Sequence, residues 1–262
     1  MAKLYFIGAG PGDPELITLK GKRLISEADV IIYAGSLVNP EILKYGKEGA
    51  AIYNSATMNL DEVLQVEIEA LKAGKKVARV HTGDPAIYGA IQEQMDGLRA
   101  AGIPDEEFEV VPGVSSFLAT AAALKQEYTL PGISQTVIIT RMEGRTKVPE
   151  RESIESFAAH HASMAIYLST GMLGELGRRL IAGGYGKDTP AAIVYKATWP
   201  EEEAYLCTVE QLEETAKSHD ITKTALIIVG DIVAHQNYGK SRLYAPDFET
   251  EFRKIKKSRE KE

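Results

Sequence analysis

An α/β protein of two domains with mostly parallel sheets is predicted by three features of this 262-residue sequence. Short apolar runs alternate with stretches of helical periodicity, the rhythm of parallel strands covered by helices. Several runs end in glycine turns, where open α/β sheets deliver backbone to a ligand at their carboxyl edge. The runs suggest about ten strands, more than one twisted sheet holds comfortably, so two α/β halves are expected.

The first run, Leu4-Tyr5-Phe6-Ile7, breaks into Gly8-Ala9-Gly10-Pro11-Gly12-Asp13-Pro14. A Rossmann phosphate loop needs a third glycine at position 13. Here Asp13 would repel a pyrophosphate, and two prolines each remove an N–H that could hold one. The loop therefore suits a ligand that is not a dinucleotide. Thr18 is placed to cap a helix over Leu19–Glu27, and Val30–Tyr33 is the next strand. Strands are expected at 50–53, 76–80 and 109–111, with helices at 60–73 and 87–100 stopped by Gly74 and Gly102. Pro85 falls in the first turn of the latter helix, where its missing N–H costs nothing, and Asp84 stands near the N-cap. An alanine-rich helix at 115–124 bridges the halves, and strands follow at 137–140, 164–168, 191–195 and 225–229. The domains are placed at 1–114 and 115–245, with a charged tail at 246–262 whose lysine-rich part, 253–261, reads as a solvated end.

Composition narrows the function. A net charge of −7 opposes nucleic-acid binding through a bulk positive field, but not binding of an anionic small molecule by a few local cations. No apolar run approaches the roughly 20 residues that span a bilayer. The N-terminus enters a strand without a signal cleavage site. The single cysteine, Cys207, excludes an internal disulfide and a Cys-rich metal site. His160, His161, His219 and His235 lack metal-ligand spacing with acidic partners, so no metal site is expected. Cytoplasmic residence is the simplest reading.

Two further strand ends carry ligand-type turns. Arg79-Val80-His81 leads into Thr82-Gly83-Asp84-Pro85-Ala86-Ile87, and Val111 leads into Pro112-Gly113-Val114-Ser115-Ser116. Capping alone could explain Asp84. Together and in this order, the 8–13, 82–85 and 111–116 motifs resemble the tetrapyrrole methylase family, and the likeness continues through Thr224-Ala225-Leu226-Ile227-Ile228-Val229-Gly230. It covers residues 3 to 245. Residues 140–150, Thr-Arg-Met-Glu-Gly-Arg-Thr-Lys-Val-Pro-Glu, resemble the branch that methylates precorrin-4 or cobalt-precorrin-4 at carbon 11, as do Tyr195-Lys196-Ala197-Thr198-Trp199-Pro200-Glu201 and residues 33–38. Lys147 stands where that branch is expected to have proline.

The resemblance implies the class III methyltransferase architecture, S-adenosylmethionine as cofactor, an anionic tetrapyrrole as substrate and a homodimer. It implies cofactor contacts at Pro11, Thr82, Gly83, Asp84, Ile87, Ser115, Ser116, Leu168, Ala197, Thr224 and Ala225. A precorrin carries acetate and propionate groups, so its site calls for fixed cations. Arg141 and Arg145 flank Glu143-Gly144, and Arg79 and Lys196 lie at other strand ends, so these four are expected to bind substrate; Lys147 reads as solvated. Methyl displacement from a sulfonium relies on alignment, worth about 7–11 kcal/mol at its best. His81 and Glu143 are candidates for removing the ring proton, against a structural histidine and an ion-paired glutamate.

Alternatives remain at this level: methylation of another carbon of a precorrin or of uroporphyrinogen, a tetrapyrrole carrier without catalysis, and a nucleotide-dependent oxidoreductase. The last predicts an acidic residue ending the second strand, which ends instead in Tyr33-Ala34-Gly35. No Gly-x-x-x-x-Gly-Lys-Ser/Thr loop exists for NTP hydrolysis.

Overall fold

A computed structural model describes residues 2–236 and 238–254, so positions 255–261 of the predicted solvated tail lie outside the described residues. By its contacts the chain forms two compact units. The first runs up to Leu124 and takes in Val194–Ala204 and Thr224–Leu226; the second holds Lys125–Ile193, Tyr205–Lys223 and the chain from Ile227 onward. The helix expected to bridge the halves belongs to the first unit, which the chain enters three times.

The first unit is built on β1 (Lys3–Gly8), β2 (Val30–Tyr33), β3 (Ala51–Asn54), β4 (Lys76–His81) and β5 (Phe108–Val111), in the order β3-β2-β4-β1-β5. Every pairing in this sheet is parallel, so all five carboxyl ends share one edge. Both faces are covered, as parallel sheets require. Ile7, Ile31, Ala78, Val80 and Val111 pack against Leu24 and Ile25 of α1 (Leu19–Glu27). On the opposite face, Leu4, Phe6, Ile32 and Val77 pack against Leu71 of α2 (Leu60–Lys72) and Leu98 of α3 (Ile91–Ala100). Thr18 caps α1 through the Gly21 N–H at 3.0 Å. Asn59 and Glu62 form a reciprocal capping box on α2, and Gly74, at φ 76°, ends it in the left-handed conformation that glycine adopts without penalty. α4 (Ser116–Ala123) completes the unit and packs Ala119 on Val194 and Ala197.

α3 starts later than its periodicity implies. Tyr88 and Ala90 have φ of 56° and 51°, which no right-handed helix accommodates, and a β-carbon on Gly89 would strike the Pro85 carbonyl oxygen at 2.1 Å. Residues 85–88 are therefore turns, and Asp84 caps a turn instead of a helix.

The second sheet has the order β6 (Val137–Arg141), β7 (Ser163–Tyr167), β10 (Ala225–Val229), β8 (Pro190–Tyr195), β9 (Glu203–Thr208). It is mixed: β6 and β7 are parallel, whereas β10 runs antiparallel to β7 with Ile227 opposite Ile166. The strand β9 has no counterpart among the predicted runs. It is an edge strand, half exposed and half intermediate, whose short run Ala204-Tyr205-Leu206-Cys207 is not among the predicted strands. α5 (Ile154–Ala158), α6 (Leu173–Ala182) and α7 (Leu212–Ser218) pack in this unit. Among the described residues no helix is long and apolar enough to cross a membrane, and no three His, Cys, Asp or Glu side chains group as metal ligands.

Candidate active site

The strand ends of the first sheet meet through backbone alone. A β-carbon on Gly8 would stand 2.6 Å from the Gly113 Cα and from the Gly83 oxygen; one on Gly113 would stand 2.2 Å from that oxygen. Gly10 and Gly83 pair as an isolated antiparallel bridge, with the Gly83 N–H donating to the Gly10 carbonyl at 2.7 Å. Gly83 has φ 60°, and a β-carbon there would find only ordinary contacts, 3.5 Å from the Ser115 Cα and 3.6 Å from the Ser116 nitrogen. Three strand ends thus converge on a surface of peptide groups bare of side chains.

Asp84 ties this surface together. Its Oδ1 accepts the Ala86 N–H at 2.8 Å and its Oδ2 the Gly113 N–H at 2.9 Å, joining the β4 and β5 turns. Asp13 caps the next turn by accepting the Glu15 N–H at 2.8 Å. Residues 8–13, 82–84 and 113–116 include two carboxylates and no lysine or arginine. Such a rim rejects phosphate and is compatible with a cationic, phosphate-free ligand held by peptide groups.

Segment 194–204 closes one side. The Trp199 Nε1–H donates to the Pro11 carbonyl at 3.2 Å, and the Asp13 N–H donates to the Thr198 hydroxyl at 3.0 Å. Lys196 has its N–H on the Thr224 carbonyl at 2.9 Å, and Ala197 is buried against α4. Three residues here have left-handed backbones: Lys196 (φ 45°), Thr198 (69°) and Thr224 (58°). For β-branched threonine this is a strained state, of the kind concentrated at ligand sites.

The structure therefore gathers Pro11, Thr82, Gly83, Asp84, Ser115, Ser116, Ala197 and Thr224 with Ala225 in the first unit, with Ile87 donating its N–H to the Asp84 carbonyl inside the turn. Leu168 belongs to the second unit, where it is exposed and has φ 52°. Trp199 and Thr198 are missing from the sequence-derived contacts. Their partners lie 188 and 185 residues away, a separation that no local pattern signals.

The expected cations separate. Arg79 is not at a substrate edge: it is 6% exposed, its Nε donates to Gln94 at 2.9 Å, and Glu67 Oε1 lies 3.9 Å away. It shares a strand face with Val77 and His81, which buries it beneath α2 and α3. His81 is buried with it, Nε2 lacks a partner among the described residues, and burial followed by the Arg79 charge holds its pKa down to about 3. In this position His81 is 4% exposed and packs beside Phe6. Arg141 donates to the carbonyls of Met142, Thr146 and Lys147 at 3.0–3.2 Å, fixing the loop it introduces. Arg141, Glu143, Lys147 and Arg179 line a cavity of about 280 Å³ in the second unit, and Arg145 is exposed on the same loop without lining it. Lys196 pairs with Glu201 at 3.5 Å and lies 5.5 Å from the Tyr195 and Trp199 ring centres.

Of the other four histidines, His161 sits edge-on to Tyr185, His219 stacks on Tyr205 with centroids 3.7 Å apart, His235 hydrogen-bonds to Gln126 Oε1 at 3.0 Å, and His160 is exposed.

A parallel α/β sheet with a peptide-lined, phosphate-excluding carboxyl edge defines a class of ligand-binding α/β proteins distinct from the dinucleotide folds. More particularly, the chain belongs to the Tetrapyrrole (Corrin/Porphyrin) Methylases, matching that family over residues 3–213. It is 53% identical to the cobalt-precorrin-4 C(11)-methyltransferase of Methanocaldococcus jannaschii across 97% of each chain. Its fold is similar to the X-ray structure of a cobalt precorrin-4 methyltransferase, with TM-score 0.85 and 45% identity over 88% of this chain and 95% of the other. It is also similar to the Thermus thermophilus uroporphyrin-III C-methyltransferase complexed with S-adenosyl homocysteine, with TM-score 0.72 and 27% identity over 88% and 93% of the two chains.

Proposed function

We propose that this chain is an S-adenosylmethionine-dependent methyltransferase that methylates carbon 11 of cobalt-precorrin-4 or precorrin-4 in cobalamin biosynthesis. The 53% identity to the M. jannaschii enzyme across nearly both full chains carries this reading. The cofactor assignment is supported by the peptide-lined rim, which lacks a phosphate grip and carries Asp13 and Asp84, and by the S-adenosyl homocysteine bound to the T. thermophilus relative. When bound, S-adenosylmethionine supplies a methyl group on cationic sulfur.

The chain's own residues hold and align. Thr82, Gly83, Asp84, Ser115 and Ser116 form one wall of the cofactor site through backbone groups, and Ala197, Thr224 and Ala225 extend it; Pro11, Ile87 and Leu168 complete the proposed set. Arg145 and Lys196 recognise substrate carboxylates, while Arg141 shapes the loop that presents Arg145. Catalysis rests on positioning, which needs no covalent intermediate. Glu143, exposed on that loop, is the better-placed acceptor for the departing ring proton, because burial leaves His81 a poor base. The proposal includes cytoplasmic residence, read from the composition, and a homodimer, carried by family resemblance; light scattering on the purified protein tests the dimer.

Calorimetric titration with S-adenosylhomocysteine, with NAD in parallel, tests the cofactor. Binding of the first and not the second is expected, followed by gain of one methyl group on cobalt-precorrin-4 by mass spectrometry. Binding of NAD alone would overturn the reading.

A further inference from the structure

The loop 10–13 gets its shape from side chains distant in sequence. The Pro11 carbonyl accepts Trp199 Nε1–H, the Gly12 carbonyl accepts Asn39 Nδ2–H at 2.9 Å, and the Asp13 N–H donates to Thr198. The indole lies so close to Gly12 that a β-carbon there would stand 2.2 Å from its Cδ1 and 2.4 Å from its Nε1. Glycine at this position makes room for the ring; Pro11 fixes only its own φ, so Gly12 keeps the backbone freedom that the indole and its neighbours restrain. The clasp is itself braced. Glu202 accepts the Thr198 N–H at 2.6 Å, which helps hold that residue in its strained conformation, and Lys196 lies beside the indole.

We propose that Trp199 is a positioning residue: together with Thr198 it clasps the 10–13 loop in its ligand-binding shape before the ligand arrives. The inference rests on the reading that this loop borders the S-adenosylmethionine site. Ordering a glycine loop at the moment of binding would be charged against affinity, and a preformed clasp removes that cost. A strained Thr198 is the expected companion of such pre-organisation.

The test uses the whole protein and S-adenosylhomocysteine as the probe. Trp199→Phe keeps a ring over Gly12 and deletes the N–H donor; Trp199→Ala deletes both. The phenylalanine variant should bind about three-fold more weakly than wild type, in line with one modest hydrogen bond, and the alanine variant about ten-fold or more. The loss should fall on the KM for S-adenosylmethionine and not on kcat. Trp199 is the only tryptophan, so in the wild type the probe should also reduce acrylamide quenching of its emission.

Equal affinity in the alanine variant, or a fall in melting temperature with unchanged KM, would overturn the proposal. If that variant does not fold, Thr198→Val, which removes only the acceptor of the Asp13 N–H, carries the test and should weaken binding. A wild type that binds no S-adenosylhomocysteine would overturn the functional reading and this role with it. Failure of the clasp alone is told apart because the wild type then binds normally.

Discussion

Asp84 and Gly113 are joined across two strand ends, the carboxylate Oδ2 accepting the glycine N–H at 2.9 Å while Oδ1 serves Ala86. Asparagine would offer one oxygen and turn its NH₂ toward the remaining N–H. Asp84→Asn should therefore cost about 1–3 kcal/mol of stability. It should also weaken S-adenosylhomocysteine binding, because the turns it joins bear the proposed site. Thermal unfolding with and without that ligand reads both effects, and an unchanged melting temperature would deny the carboxylate its joining role.

The glycine contacts at the rim are equally testable. Gly113→Ala places a methyl group 2.2 Å from a backbone oxygen that has no room to retreat, so about 1–3 kcal/mol or more of destabilisation is expected, as for overpacking in a rigid core. Gly171→Ala meets nothing within 4 Å and should leave stability near wild type. Denaturant titration of the two variants side by side separates a packing requirement from a general dislike of replacing glycine.

The buried Glu67 makes stability depend on pH. Burial raises its pKa from 4.5 to about 8, with Arg79 pulling the other way. A raised folded pKa means the stabilising contribution is complete below 4.5 and lost as pH climbs through about 8. His81, lowered from 6.5 to about 3, has the opposite slope below 6.5, so the Glu67 effect stands clear between pH 6.5 and 8. Over that interval the wild type should lose stability, and Glu67→Gln should show a flatter dependence. Urea midpoints at closely spaced pH values decide the point; parallel slopes would mean that Glu67 is ionised in the native protein throughout.

The 140–150 loop should separate substrate from cofactor. Arg145→Ala is expected to raise the KM for the tetrapyrrole by about ten-fold, the value of one charge-assisted contact, with S-adenosylhomocysteine affinity nearly unchanged. Arg141→Ala removes three hydrogen bonds to loop carbonyls and should add faster proteolytic cleavage within 142–147. A matched loss of cofactor binding in Arg145→Ala would show that the loop serves the cofactor site.

Local patterns in the sequence expose most of the framework, since each parallel strand is a compact apolar run and Thr18, Gly74 and Gly102 punctuate the helices. They fail where tertiary context decides. Nothing local forces Tyr88 and Ala90 to positive φ, so the start of α3 appears too early. Arg79 is expected among the substrate-binding cations at strand ends but is buried, and a signal for that exists. It is in phase with Val77 along β4, and Glu67 is in phase with Val63, Ala70 and Leu71 along α2, so both side chains face the core. The glycine turns at the strand ends are readable because they are local; the bonds of Trp199 and Thr198 to residues 11 and 13 are not, because their partners are far apart in the chain.

That separation has a consequence during synthesis. A ribosome releases residues 1–124 well before 194–204 and 224–226, which the same unit needs. The nascent sheet can assemble early, as domains commonly do while the chain is still growing. Its ligand edge, however, waits for the last quarter of the polypeptide, when the indole reaches Gly12 and the Lys196–Thr224 bond can form. A translation product that stops before residue 194 would carry the opening glycine loop and lack both the indole and the Lys196–Thr224 bond that complete this edge.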